Sequence, residues 1–222
     1  MTGAKPLIAV VGGAGAVGHG LALRWSGAGY PLIIGSRDAG RAAEAAAAIG
    51  APQVRGMANR AAAAACDICV LAVPHAAQQP TAREIAPALD GKILVDVTVP
   101  LVPPRVSRVQ LPDGGSAAAL LQEMLGERIR VVSAFQNVAA AHLADPGHAI
   151  ECDVLVCGND KEARQTVIGL AGAAGMRAWH AGTIANAAAA EALTSVLIFI
   201  NRAHGLDGSG IRITGEPAAV AS

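Results

Sequence analysis

A short apolar run, Leu7–Val11, leads directly into the glycine-rich stretch GGAGAVGHG at residues 12–20. Gly13, Gly15 and Gly18 match the spacing G-x-G-x-x-G, which here follows a predicted strand and opens a predicted helix. In that context the first glycine permits a tight turn, the second lets a pyrophosphate approach the backbone, and the third lets the helix pack on the strand. The stretch therefore constrains the chain to begin with a strand, turn and helix of the nucleotide-binding type.

The anion would lie against the N-terminus of the helix that follows the glycines. The N–H groups near Ala16 and Val17 lack partners within a helix, and the helix dipole favours negative charge at that end. The simpler alternative is a glycine-rich turn with no ligand. Residues at the end of the second predicted strand distinguish these interpretations.

That strand ends in the sequence LIIGSRDAGR. Proteins of this type that bind NAD usually have an Asp or Glu there for the ribose hydroxyls. Here Ser36 can donate to a phosphate, Arg37 can pair with it, and Arg41 can add a second positive charge. Asp38 leaves NAD open as an alternative, and a solvated charge cluster is a third interpretation. We predict a site for the 2'-phosphate of NADP.

Short β-branched runs alternate with Ala-rich helical stretches along the whole chain, which is typical of βαβ units and a parallel sheet. Seven strands are predicted: Leu7–Val11, Pro31–Gly35, Ile68–Val73, Ile93–Val97, Arg130–Ala134, Cys152–Cys157 and Met176–His180. We expect an α/β fold, a Rossmann-type doubly wound parallel sheet with a smaller C-terminal α/β part. The NADP-binding domain should cover residues 1–135, and the smaller part, packed with it as one unit, residues 136–222.

Helices are predicted between the strands: Val17–Gly27, Arg41–Ile49, Arg60–Ala65, Gln78–Ala88, Ala117–Leu125, Lys161–Ala173 and Ala185–Ala203. Residues 98–116 contain four prolines and two adjacent glycines, and they predict a long loop beyond the carboxyl end of a strand. Such loops are more often functional than idle. The tail after the last helix is predicted to be extended and then frayed.

The composition argues against two classes of partner. With 17 basic and 17 acidic residues the formal net charge is 0, which gives no electrostatic footprint for nucleic acid. No uninterrupted apolar run approaches the roughly 18 residues of a membrane span, and no signal-peptide pattern is seen. Cys66, Cys69, Cys152 and Cys157 are expected to be reduced and structural, without a metal. We expect a cytoplasmic protein whose partners are small molecules.

The third predicted strand ends in LAVPHA. A small residue and a proline at the carboxyl end of a strand let the backbone pass close to a ribose and a pyrophosphate. We therefore expect Ala72, Val73, Pro74 and His75 to line the cofactor site. His75 is interpreted either as a polar contact or as a proton relay.

Taken in order, six stretches of the chain resemble the NADPH-dependent reductases of the deazaflavin coenzyme F420: VVGGAGAVGHGLALR, GSRD, RGMANRAAAAACDICVLAVP, VVSAFQNVAA, DVLVCGND and GIRITG. The resemblance covers nearly the whole chain. It implies direct hydride transfer between C4 of the nicotinamide and C5 of the deazaflavin, with NADP(H) and F420 as coenzymes and no covalent intermediate or metal. It also implies that residues 136–222 form the deazaflavin pocket.

The resemblance carries particular residues onto these roles. It implies that Ala14–Val17 hold the pyrophosphate, that Ser36, Arg37 and Arg41 hold the 2'-phosphate, and that Val73–His75 and Gln79 line the cofactor. It also implies a segment that approaches the nicotinamide and the deazaflavin ring: Gln136, Asn137, Val138 and Ala140. The chain departs from the archaeal pattern at His75, Ala77 and Gln136, where the resemblance implies Trp, His and His.

We name no catalytic acid, base or nucleophile, because hydride transfer between two rings mainly needs their carbons held at roughly 3–3.5 Å in a site without water. One alternative is an NADPH-dependent reductase of a flavin, an imine or a carbonyl. Another is a non-catalytic NADP-binding sensor.

The last predicted helix carries one broad apolar face at Leu193, Val196, Leu197 and Ile200. This face packs against its own sheet or forms a homodimer interface, and we expect a homodimer.

Overall fold

The computed structural model of the protein describes residues 4–215. Within that range the chain forms eight strands and eight α-helices. The strands are β1 (Ile8–Val11), β2 (Leu32–Ser36), β3 (Val54–Ala58), β4 (Ile68–Leu71), β5 (Ile93–Asp96), β6 (Arg130–Ser133), β7 (Val154–Gly158) and β8 (Ala178–His180). The helices are α1 (Ala16–Gly27), α2 (Ala39–Ile49), α3 (Asn59–Ala65), α4 (His75–Ile85), α5 (Ala117–Leu125), α6 (Ala140–Ala144), α7 (Lys161–Ala173) and α8 (Ala187–His204).

All eight strands join one sheet in the order β3-β2-β1-β4-β5-β6-β7-β8. The first six in chain order run parallel, as predicted, while β7 pairs antiparallel with β6 and β8 runs parallel to β7. The strand order 3-2-1-4-5-6 is that of the dinucleotide-binding Rossmann fold. It confirms the predicted fold class, and the boundary at residue 135 stays a prediction that falls between β6 and β7.

The core has two layers, one on each face of the sheet. β1, β4 and β5 are buried at every position, because helices cover both of their faces. Trp25 and Phe135 are the large aromatic residues fully buried within residues 4–215, and Ala, Val, Leu and Ile make up most of the rest.

The sequence prediction missed two elements, β3 and α6. β3 is an edge strand that contains Gly56, and its residues are half-buried or exposed. A Cβ on Gly56 would lie 2.3 Å from the carbonyl carbon of Ala42, so this glycine lets the strand pack directly against α2. Because β3 has neither an apolar run nor clear alternation, its sequence gave no strand pattern.

Residues 97–116 run from the end of β5 to the start of α5 without a helix or strand, as predicted. The described part of the tail, residues 205–215, has no helix or strand either, and the Asp153 carboxylate binds it by accepting from the Ile213 N–H at 2.7 Å. The expected fraying concerns the last residues of the chain, of which 216–222 lie outside the described range. All four cysteines are free thiols.

One segment, Ile184–His204, is long and apolar enough to cross a membrane by length and composition, with a mean hydropathy of 1.5. The prediction from uninterrupted apolar runs did not identify it. About a third of its apolar window is buried, and α8 carries the buried Glu191, which caps α5. That contact packs the helix within the fold.

Candidate active site

The glycine turn lies between the carboxyl ends of β1 and β4, where the strand order of the sheet reverses. Gly12 has a φ of +81°, and a Cβ there would lie 2.4 Å from the carbonyl oxygen of Ala72. A Cβ on Gly13 would lie 2.9 Å from the Val10 oxygen. The left-handed residue of the tight turn is therefore Gly12, one position before the glycine that the sequence pattern assigned to it.

Gly15 and Gly18 differ in the space around them. A Cβ on Gly18 would lie 2.9 Å from both the Gly12 oxygen and the Gly13 Cα, so Gly18 lets α1 pack on the turn. The nearest atom to a Cβ on Gly15 is 3.3 Å away, and Gly15 faces the cleft. Gly15 is the N-cap of α1 and brings no side chain to the exposed N–H groups of Ala16 and Val17. These donors suit an anion.

The end of β2 lies at the same edge of the sheet, one strand away. The Asp38 carboxylate caps α2 by accepting from the Arg41 N–H at 2.8 Å. Ser36 Oγ accepts from the Asp38 N–H at 3.3 Å, which leaves its hydroxyl proton available to a ligand. The Asp38 carboxylate already has a structural role here, so it does not argue for NAD.

Ser36 and Arg37 share a cleft of about 400 Å³ with Gly12, Ala14 and Gly15. Ala72, Val73 and Pro74 also line this cleft, as expected. The sequence analysis noted Ala77, which also lines the cleft, only as a departure from the archaeal pattern, and it missed five further lining residues: Gly35, Asn59, Pro80, Thr81 and Glu84.

Eight residues predicted to bind the cofactor do not line the cleft: Gly13, Ala16, Val17, Gly18, Arg41, His75, Gln79 and Ala140. Arg41 is exposed on the first turn of α2. His75 is the first residue of α4, not part of a strand-end loop, and its Nδ1 is buried with no partner among the described residues. Gln79 lies one turn further along α4, where its Oε1 accepts from Arg83 at 3.5 Å.

Asn59 is the most informative of the missed residues. It follows β3 directly and is 3% exposed, and its Oδ1 has no hydrogen-bond partner among the described residues. A buried polar atom without a partner is rare and calls for an explanation such as a ligand. Recognition of β3 would have placed Asn59 beside Ser36, because Ala58 and Ser36 are neighbours in the sheet.

A second pocket of about 250 Å³ adjoins the first turn of α1. It is lined by all the residues expected near the two rings, Gln136, Asn137, Val138 and Ala140, and by Val17. The other walls come from distant parts of the chain: Val97, Val99, Leu101, Phe135, Ala139, Thr194, Leu197, Ile198, Asn201 and Ser209. None of these lining residues is Asp, Glu, Lys, Arg, His, Cys or Tyr.

The turn that carries Gln136–Val138 begins with a strained residue. Phe135 has a φ of +73° although it is not glycine, and it is 1% exposed. Its ring packs edge-on against Trp25 of α1 with the centroids 5.9 Å apart. Strain of this kind persists only where the surrounding structure enforces it, and it is concentrated at functional sites.

Gln136 is held from three directions. Its side-chain Nε2 donates to the Asp96 main-chain carbonyl and to Ser133 Oγ, both at 2.9 Å. Its main-chain carbonyl accepts from Thr194 Oγ1 at 2.8 Å. Its Oε1 and the Oδ1 of Asn137 are buried without partners among residues 4–215. Two orphan acceptors in one pocket suit a ligand that presents hydrogen-bond donors.

Two buried carboxyl groups lie behind this pocket. Asp96 accepts from Gln78 Nε2 at 2.6 Å, and burial raises its pKa to about 6. Glu191 accepts from the N–H groups of Ala117 and Ala118 at 2.8 and 3.0 Å, and burial raises its pKa to about 7. Neither carboxyl lines the pocket. Asp96 also accepts from the Thr98 N–H at 3.2 Å, so the two carboxyls bind the two ends of the loop at 97–116.

A glycine turn at the switch point, a Ser-Arg pair after β2 and an adjoining apolar pocket define a nucleotide-binding oxidoreductase of the Rossmann type. Residues 7–100 match the family described as NADP oxidoreductase, coenzyme F420-dependent. A curated F420-dependent NADP reductase from Methanocaldococcus jannaschii is 39% identical over 93% of this chain and 97% of its own. The chain belongs to this family.

Two further relatives agree with that assignment. An F420-dependent NADP reductase from Methanothermobacter thermautotrophicus is 36% identical over 95% of both chains. A solved structure from Arthrobacter sp. FB24, assigned as an F420-dependent NADP reductase, superposes with a TM-score of 0.81 and 28% identity, covering 95% of this chain and 100% of that one.

Proposed function

We propose that the protein transfers a hydride directly between NADP(H) and the deazaflavin coenzyme F420. The observation that carries this proposal is the shared position of two sites on α1. The first turn of α1 offers N–H donors to the dinucleotide cleft, and Val17 of the same turn lines the apolar pocket. A nicotinamide attached to a dinucleotide in the cleft would therefore reach the pocket that receives the acceptor ring.

The cleft fits NADP at both of its ends. Gly15 leaves space for a pyrophosphate beside the free N–H groups of α1, and Ser36 and Arg37 offer a hydroxyl and a guanidinium to the 2'-phosphate. Arg41 adds positive charge at the margin. Asn59 brings an unpaired carbonyl oxygen to the adenosine side.

When bound, NADPH supplies the hydride from its nicotinamide and F420 accepts it on its deazaflavin ring. The chain contributes position and the exclusion of water. Val138 and Leu197 provide an apolar surface, while Gln136 and Asn137 direct amide groups to ring edges. Among residues 4–215, no ionisable side chain lines the acceptor pocket. This suits a hydride transfer that needs no proton from the protein.

The three departures from the archaeal pattern fall on different parts of the site. Ala77 lines the dinucleotide cleft and His75 begins α4 beside it, whereas Gln136 lies in the acceptor pocket. The Gln136 amide is fixed by its bonds to Asp96 and Ser133, so the pocket keeps a polar group there without an ionisable one. The pocket therefore offers an amide group, and no charged group, to the acceptor ring.

Absorbance at 340 nm and 420 nm tests the proposal with purified protein, NADPH and either oxidised F420 or FMN. We expect both signals to fall with F420 and the 340 nm signal to stay constant with FMN. Turnover of FMN alone would favour a reductase of another acceptor. NADPH binding without turnover of either acceptor would favour a sensor and refute the proposal.

We also propose a homodimer in the cytoplasm. Val196 is 42% exposed and Phe199 59% exposed on the outer face of α8, whereas Leu197, on the inner face, lines the acceptor pocket. Leu193 and Ile200 are half-buried between these faces. An exposed apolar helix face beside a ligand pocket suits a second subunit. Sedimentation should give a dimer at micromolar concentration, and a monomer would contradict the interface.

A further inference from the structure

Arg24 of α1 makes more hydrogen bonds to the main chain than its position on a helix surface requires. Its Nε donates to the Leu143 carbonyl at 3.1 Å, and its Nη1 donates to the Ala174 carbonyl at 3.2 Å. Its Nη2 lies 2.7, 2.6 and 2.9 Å from the carbonyl oxygens of His142, Asp145 and His148. Four of these five acceptors lie in one segment, residues 142–148.

Besides α1, the segment contacts the tail, where His142 Nε2 lies 3.6 Å from Asp207 Oδ1. Between β6 and β7 the chain forms only the five-residue helix α6, and helices this short are unstable alone. The segment packs on α1 at Gly20, where a Cβ would lie 2.6 Å from the Cβ of Leu143. The Arg24 guanidinium also satisfies carbonyl groups at the end of α6, where a cation is favourable.

The same segment continues the wall of the acceptor pocket. Residues 136–140 line the pocket and lead directly into α6. The first turn of α1, about 12 Å from Arg24 along the helix axis, faces the dinucleotide cleft. α1 is thus a rigid element with the dinucleotide at one end and the anchored segment at the other.

We propose that Arg24 is a positioning residue that sets the acceptor wall at residues 136–140 against the dinucleotide held by α1. The inference rests on the proposed hydride transfer. It predicts that loss of the contacts changes the distance between the two rings and leaves dinucleotide binding intact. A residue that only stabilised the fold would lower all parameters together.

Arg24→Lys keeps the charge but cannot span the separate carbonyl groups. With NADPH and F420 we expect kcat to fall by about 10- to 100-fold, because displacement of about 1 Å has effects of this size, while KM for NADPH stays within about twofold. The primary deuterium isotope effect on kcat should rise as hydride transfer becomes slower. Amide hydrogen exchange of residues 139–150, measured with NADPH present, should accelerate.

Arg164→Lys is a matched control, because Arg164 also donates from a helix to a main-chain carbonyl, that of Gly158, outside the acceptor wall. It should leave kcat near that of the unmodified protein. The inference is overturned if both variants change kcat equally, or if Arg24→Lys raises KM for NADPH as much as it lowers kcat.

Gly20→Ala tests the same interface with Arg24 intact, should Arg24→Lys fail to fold. Alanine suits a helix, but its Cβ displaces Leu143, so kcat should fall while KM for NADPH is kept. An unchanged kcat and unchanged exchange would refute the inference. If the unmodified protein does not turn over F420, the proposed function fails, and the exchange of residues 139–150 in Arg24→Lys still decides the role of Arg24.

Discussion

Glu191→Gln should change how the stability of the protein depends on pH. Glu191 is 1% exposed, and burial raises its pKa from 4.5 to about 7. Because the folded protein then holds this proton more tightly than the unfolded chain, the free energy of unfolding falls as the pH rises from about 4.5 to 7. At about 1.4 kcal/mol per pKa unit, the loss is about 3 kcal/mol. Glutamine does not titrate, so the variant lacks this loss.

Urea unfolding at pH 5 and pH 8 measures the difference. We expect Glu191→Gln to be less stable than the unmodified protein at pH 5, because its amide group replaces one of the two acceptors that cap α5. At pH 8 the free energy of unfolding of the variant, relative to that of the unmodified protein, should be about 3 kcal/mol higher than at pH 5. Glu123→Gln, on the exposed face of α5, is the control and should leave the pH dependence unchanged. An equal stability difference at both pH values would refute the reasoning.

Three further substitutions test the candidate site. Gly15→Ala should lower the unfolding midpoint only slightly, since its Cβ would lie 3.3 Å from its nearest neighbour, the Gly12 carbonyl oxygen. It should raise the Kd for NADPH in a fluorescence titration by about tenfold or more, because the methyl group occupies the pyrophosphate position. Arg37→Ala should raise KM for NADPH by about 10- to 100-fold and leave KM for NADH unchanged, because a charge-assisted bond of about 1.5–3 kcal/mol is lost. Equal increases in both KM values would contradict the 2'-phosphate assignment. Phe135→Gly should resist urea better than Phe135→Ala by about 1–2 kcal/mol, because glycine alone removes the cost of the left-handed φ, and the reverse order would argue against strain.

The sequence was sufficient to predict the parallel strands other than β3 and the turn between β1 and α1. β1, β4 and β5 are buried on both faces, so their sequences are continuous apolar runs apart from Asp96 at the end of β5. α6 could not be predicted, because five residues contain too few turns for a helical pattern and contacts from distant parts of the chain, Arg24 among them, hold them in place. The direction of β7 was equally inaccessible, since a buried strand has the same apolar sequence whether it pairs parallel or antiparallel.

The acceptor pocket shows the same limit for function. Resemblance to a family was needed to select Gln136, Asn137 and Val138, because amides and a valine have no distinctive pattern. Leu101, Thr194 and Ser209 lie on three separate segments, and only the folded chain brings them together. Asn59 was missed because the strand before it was missed.

The glycine turn determines more than the dinucleotide site, because it fixes the direction in which α1 leaves the sheet. Gly18 brings the helix against the turn, and Gly12 brings the turn against Ala72, at distances that no side chain would allow. From that position α1 directs Trp25 against Phe135 and Arg24 against the α6 segment, so both supports of the acceptor wall depend on the helix. The core has few aromatic residues, and the contact between Trp25 and Phe135 is the one between two fully buried aromatic side chains within residues 4–215. It therefore lies under residues 135–138, the turn that would contact the acceptor ring.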